Sequence, residues 1–177
     1  MRTTIFLVLT FVPLCSTVCH AETLLDGKTI TTAFYFPNTN TIGFGGVPVD
    51  SVVGPGVEIA ASPQGYPITT IDFSDTSILL TFTATLSGTS ANFNGWRFYD
   101  STGTIQDFVG ATITTTNPGW SITEVDADNI WLNGQGSTYA SGSTLQIDIV
   151  SIPEPSTLVL GSIGLLGLLG LGWRRKQ

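Results

Sequence analysis

The chain of 177 residues has two cysteines, Cys15 and Cys19, and one histidine, His20. Bases are as scarce: between Glu22 and Ile152 the only ones are Lys28 and Arg97. A leader cut after Ala21 would carry off every thiol and the imidazole. What remains cannot form a Ser-His-Asp or Cys-His nucleophilic site. Zinc sites built from His and Cys are excluded too, and so are disulfides as a source of stability, even in a compartment that permits them. Residues 22–152 hold twelve acids against two bases, a net charge near −10, more acidic than the −7 of the whole chain. Nucleic acid and anionic membrane surfaces are poor partners for such a body. Cations, neutral glycans and other matrix components stay compatible, and the acidity favours solubility outside the cell. No glycine motif lies between a strand and a helix, where it could cradle a phosphate; Gly43 to Gly46 read as a loop. No Asn-x-Ser/Thr glycosylation site is present.

The two ends carry targeting information. Arg2 supplies a short positive region, and Ile5 to Val12 supply an apolar one. Cys19 and Ala21 are the small residues three and one before a cut, which sets the signal-peptide boundary at Ala21 and Glu22. Leu14 and Val18 precede the cysteines, where lipid attachment requires a small residue, so a lipoprotein reading fails. At the other end Pro153-Glu154-Pro155 is followed by residues 156–173, which contain no charged side chain. Eighteen helical residues span about 27 Å, enough for a bilayer hydrocarbon core. The prolines stop a helix from extending upstream. Trp173 suits the headgroup level, and Arg174, Arg175 and Lys176 stay cytoplasmic by the positive-inside rule. The organisation expected is a signal peptide over 1–21, a body over 22–152 and a sorting and anchor segment over 153–177, with a transmembrane helix at 156–173.

The body reads as all-β. Leu80, Phe82, Ala84 and Leu86 alternate with threonines, and Leu145, Ile147 and Ile149 alternate with Gln146 and Asp148, the period of half-buried strands. Further strands are expected at 29–36, 49–53, 57–60, 68–73, 95–99, 108–114, 121–125 and 129–132. Turn signals separate them at Phe36-Pro37-Asn38, Gly54-Pro55-Gly56, Ser101-Thr102-Gly103, Asn117-Pro118-Gly119 and Asn133-Gly134. Eight to ten short strands at this spacing predict an antiparallel β-sandwich or jelly roll.

Carboxylates and aromatics are the remaining candidates for chemistry. Glu124, Asp126 and Asp128 occupy alternate positions, so a strand through them would align all three on one face. An aligned row of exposed acids lacks the contrast of one neutral and one ionised carboxyl that glycan hydrolysis needs. Asp126, Asp128 and Asn129 offer oxygen ligands for calcium, without the glycine or closing glutamate of an EF-hand loop. The plainer reading is a charged strand edge and turn that resists edge pairing. Among aromatics, Trp96 and Phe98 share a face opposite Arg97 and Tyr99 and belong to the core. Trp131 lies opposite Ile130 and Leu132, which makes it the candidate for an exposed ring in contact with a glycan.

Pro153-Glu154-Pro155 with Ser156 and Thr157, the glycine- and leucine-rich run and the terminal basic cluster together resemble the PEP-CTERM family of bacterial surface proteins. The resemblance implies that Pro153, Glu154 and Pro155 are recognition residues of a substrate, processed near that motif by an exosortase, a membrane cysteine transpeptidase. It also implies export, a stay in the inner membrane through the C-terminal helix, and a final place on the cell surface or in the extracellular matrix. The association with exopolysaccharide and biofilm comes by the same route. The function expected is a non-enzymatic surface or matrix protein without a cofactor. The alternatives are a carbohydrate- or calcium-binding module and, third, a carboxylate glycan hydrolase.

Overall fold

A computed structural model describes residues 23–60 and 69–151. The signal-peptide boundary at Ala21 and Glu22, the Pro153-Glu154-Pro155 motif, the run 156–173 and Arg174 to Lys176 lie outside the described residues. Among the described residues no helix is long and apolar enough to cross a membrane.

Eleven strands make the body: β1 (Thr29–Tyr35), β2 (Val49–Val52), β3 (Thr69–Ser74), β4 (Ser77–Phe82), β5 (Leu86–Ser87), β6 (Gly95–Tyr99), β7 (Phe108–Thr115), β8 (Ser121–Val125), β9 (Asn129–Asn133), β10 (Thr138–Tyr139) and β11 (Thr144–Ser151). One sheet has the order β2-β1-β6-β9-β8, another the order β3-β4-β11-β7, and β5 pairs with β10. All pairings between strands are antiparallel.

The period-two pattern explains how the two large sheets share a core. Ile30, Phe34, Trp96, Phe98, Ile130 and Leu132 face inward from the five-stranded sheet. They form one cluster with Ile71, Phe73, Ile78, Leu80, Phe82, Leu145 and Ile147 of the four-stranded sheet. Phe73 meets Phe98 edge-on across the layer at 6.2 Å, a geometry favoured by the quadrupoles of the two rings. Each fully buried side chain of this size contributes about 1.5–3 kcal/mol relative to exposure. The edges are protected in the usual ways. β2 is four residues long with the exposed Asp50, and β8 carries the exposed Glu124 and an irregularity between Ile122 and Glu124.

Three expectations need correction. Alternation continues through 80–86, yet β4 ends at Phe82. The turn before β11 closes on Phe82, whose N–H donates to Ser143 O at 3.0 Å while its carbonyl accepts from Gly142 N at 2.7 Å. Thr83 and Thr85 then meet Ser141 through side-chain hydrogen bonds rather than a strand ladder, and Leu86 and Ser87 pair with β10. Residues 57–60 make no strand: Ile59 forms a single bridge to Ile71. The aligned acid row over 124–128 is also absent, because β8 stops at Val125 and the chain turns.

Candidate functional site

The outer face of the five-stranded sheet holds the body's one arginine. Register puts Ala33 of β1, Arg97 of β6, Trp131 of β9 and Glu124 of β8 in one row across the sheet. The adjacent row contains Thr31, Tyr99 and Asn129, with Asp50 beyond Thr31. Arg97 lies over the Tyr99 ring at 4.0 Å from its centroid and over the Trp131 ring at 5.1 Å. Its Nε donates to Asn129 Oδ1 at 2.7 Å. Both ring contacts fall within cation–π range.

Trp131 points outward, as its place opposite Ile130 and Leu132 predicts, but it is half-buried rather than exposed. Tyr35 lies 5.0 Å from it and Phe93 meets it edge-on at 5.5 Å. Tyr35 reaches across the sheet because its partner on the intervening strand is Gly95, which has no side chain to block the way. Arg97 and Trp131 are both half-buried, so the outer face carries a packed cluster in place of an open tryptophan ring.

Of the three calcium candidates, Asp126 and Asn129 have side-chain oxygens engaged within the protein. Asp126 Oδ1 accepts the Asp128 N–H at 2.9 Å and the Asn129 Nδ2 at 2.7 Å, and Asp126 N donates to Asn129 O at 3.0 Å. This is an aspartate closing a hairpin turn through its own backbone neighbours. Asn129 Oδ1, its one ligand oxygen on the side chain, is taken by Arg97. Among the described residues no group of three or more His, Cys, Asp or Glu is placed to hold a metal ion.

Other acids anchor backbone in the same manner. Glu58 accepts Gly54 N at 2.9 Å and Phe73 N at 2.8 Å, and Asp75 accepts Leu25 N at 3.1 Å. Asp100, buried at the end of β6, does most. One oxygen accepts Thr102 N and Oγ1, each at 2.8 Å, and Gly103 N at 2.9 Å; the other accepts Ile105 N at 2.6 Å. Burial alone would raise its pKa, but these donors, led by Ile105, outweigh it and hold the carboxyl below its ordinary value. Tyr99 shifts the other way. Burial of its hydroxyl, aided by Tyr35 and Asp50, raises its pKa against the pull of Arg97. The acid becomes stronger and the phenol weaker, so neither is tuned toward neutrality as a general acid or base would be.

Sequence alternation in β6 sets Arg97 and Tyr99 on the outer face. It does not reveal that Arg97 bridges Tyr99, Trp131 and Asn129, because that depends on β6 lying beside β9. For Asp100 the readable signal is Asp followed by Ser-Thr-Gly, an aspartate that can cap its own turn.

The described body is an antiparallel all-β unit whose last strand runs directly into a Pro-Glu-Pro segment, an uncharged stretch and a basic cluster, the organisation of a sorted, exported protein. The family model of the PEP-CTERM protein-sorting motif matches residues 151–176. The chain thus carries an exosortase sorting signal, and the match begins at Ser151, where β11 ends. No curated protein and no solved structure matches the chain.

Proposed function

We infer that this protein is a non-enzymatic component of the bacterial cell surface or extracellular matrix, cut from its C-terminal segment by an exosortase after export. The observation that carries the reading is the sorting-motif match over residues 151–176, which starts where the body's last strand stops. β11 lies between β4 and β7, hydrogen-bonded on both sides. Cleavage beyond Ser151 therefore leaves every pairing of the body intact. The signal peptide, the membrane stay through residues 156–173 and a place among exopolysaccharide complete this reading. The body supplies the part displayed, and its carboxylates support it by holding turns rather than by forming an acid–base pair.

The test replaces Pro153, Glu154 and Pro155 by alanine in a host that has the processing enzyme, followed by cell fractionation. The expected outcome is accumulation in the membrane fraction and loss from the surface and medium. A variant that is processed and released like the unaltered protein would refute the role of these residues.

A further inference from the structure

Charge in the body is segregated along the strand direction. One end of the sandwich is built from residues 36–48, 83–94, 116–120 and 134–143, and these segments contain no Asp, Glu, Lys, Arg or His. The opposite end carries Glu58, Asp75, Asp100, Asp107, Asp126 and Asp128. β11 runs from the neutral end, where Thr144 pairs with Thr81, to the acidic end, where Asp148 pairs with Ser77. The sorting segment therefore leaves from the acidic end, and the neutral end is the far one.

The neutral end is a single ordered surface. Gly88 N donates to Ser137 O at 2.6 Å, Gly134 N to Asn94 O at 2.9 Å and Phe93 N to Pro37 O at 3.0 Å. Asn117 Nδ2 joins the last two loops by donating to Ser143 Oγ at 2.7 Å. On this surface Phe44 is 55% exposed. It sits between Gly43 and Gly45 with φ 53°, the left-handed region, which bulky side chains rarely adopt. Its ring stacks on Phe36 at 5.9 Å with 5° between the planes, and on Phe34 at 5.6 Å. Gly43 lets the loop lie this close, since a Cβ there would come within 2.8 Å of the Phe34 ring. The backbone accepts an unfavourable conformation and so presents a partly exposed aromatic ring, in a loop that follows the hydroxyl- and amide-bearing Asn38 to Thr41 turn in sequence.

We propose that the charge-free end is a binding surface for an uncharged polysaccharide, with Phe44 as its ring contact. Each part of the surface has a counterpart in that ligand. The C–H face of a sugar ring packs on an aromatic ring, while its hydroxyls exchange hydrogen bonds with threonine, serine and asparagine. A polyanion would find no cation here and would be repelled by the body's net charge. A second copy of the chain is a poorer occupant. A stable protein interface buries about 800 Å² per partner around an apolar centre, and the large apolar side chains exposed on the described part of this end are two, Phe44 and Val47.

Affinity electrophoresis of the full-length chain tests this, in non-denaturing gels containing a polyoxyethylene detergent and dextran, hydroxyethylcellulose or galactomannan. At least one of these neutral polymers is expected to retard the protein, with no retardation by alginate, a polyanion. Phe44→Gly suits the left-handed backbone and keeps the fold, as its melting temperature will verify, and it is expected to abolish the retardation. Asn40→Asp, which puts a charge at the neutral end, is expected to weaken it. Absence of retardation by all three polymers, or retardation that survives Phe44→Gly, overturns the proposal. Self-association that is lost in Phe44→Gly without any polymer binding also overturns it and assigns the surface to a second copy. None of these outcomes depends on how the C-terminal segment is processed.

Discussion

The guanidinium of Arg97 stands 4.0 Å from the centroid of the Tyr99 ring, two residues further along the same strand and on the same outward face. Strand side chains two residues apart are normally neighbours without a bond. Here the arginine is held in place from the next strand, through Asn129 and Trp131. Arg97→Leu is expected to lower the unfolding free energy by about 1–2 kcal/mol, from one charge-assisted hydrogen bond and partly exposed cation–π contacts. Urea unfolding measures this. Arg97→Lys should recover only part of it, since an ammonium lacks the planar stack and the Nε donor.

Tyr99 gives the same cluster a titration. Its folded pKa is raised, so its contribution to stability is fully present below the ordinary tyrosine value and is lost as pH rises through the folded value. Arg97→Leu removes the one neighbour that lowers this pKa. Ultraviolet titration of tyrosinate should show Tyr99 ionising at higher pH in the variant than in the unaltered protein; an unchanged or lower value would contradict the contact.

Asp100 behaves in the opposite sense. Its folded pKa is lowered, so its contribution is fully present above the ordinary aspartate value of 3.8 and declines as pH falls through the folded value. Asp100→Asn keeps one acceptor oxygen but presents an amide where Ile105 or Thr102 donates. A loss of about 2 kcal/mol is expected near neutral pH. The difference between variant and unaltered protein should shrink in acid. A difference that is constant down to the acid limb would show that the charge is not what holds the loop.

Gly95 tests the approach of β6 to β9. A Cβ at this position would collide with the Leu132 backbone carbonyl, which no rotamer change can relieve. Gly95→Ala is expected to cost about 3 kcal/mol or more, at the upper end of overpacking effects. Thermal unfolding checks it. Gly103→Ala is a useful contrast, since nothing stands within 4 Å of its Cβ, but φ 67° carries the smaller penalty of a left-handed backbone.

For Asp126 the expectation is a turn role. Asp126→Ala should cost about 1 kcal/mol through loss of its two hydrogen bonds to Asp128 and Asn129. The same loss should appear with and without calcium, because the Asn129 oxygen is engaged by Arg97. A calcium-induced rise in melting temperature that Asp126→Ala removes would contradict this.

Much of the fold was legible because burial on one face writes itself into alternate residues. β6, β8 and β9 stand where Trp96 and Phe98, Ile122, and Ile130 and Leu132 place them. The reading failed where alternation outlasts pairing, as in Thr83 to Thr85, since a period-two pattern cannot say whether a partner strand is present. It failed again at Glu124 to Asp128, where spacing alone could not show that Asp126 closes a turn. The acids' main work was hidden for the same reason. Glu58 and Asp75 accept amides from segments brought close only by the fold, 15 and 50 positions away, whereas the donors to Asp100 are its own loop neighbours. The sorting segment was the most legible part, because its information lies in contiguous sequence and needs no fold to be read.

Intact mass spectrometry of the protein from its native host, in membrane and released fractions, tests the central claim most directly. The expected result is a released form that begins at Glu22, ends near Pro153 and lacks Arg174 to Gln177, with any added mass reporting what the new terminus is joined to. A protein found only in the membrane fraction, with residues 174–177 still attached, would contradict the account and make the C-terminal segment a permanent anchor.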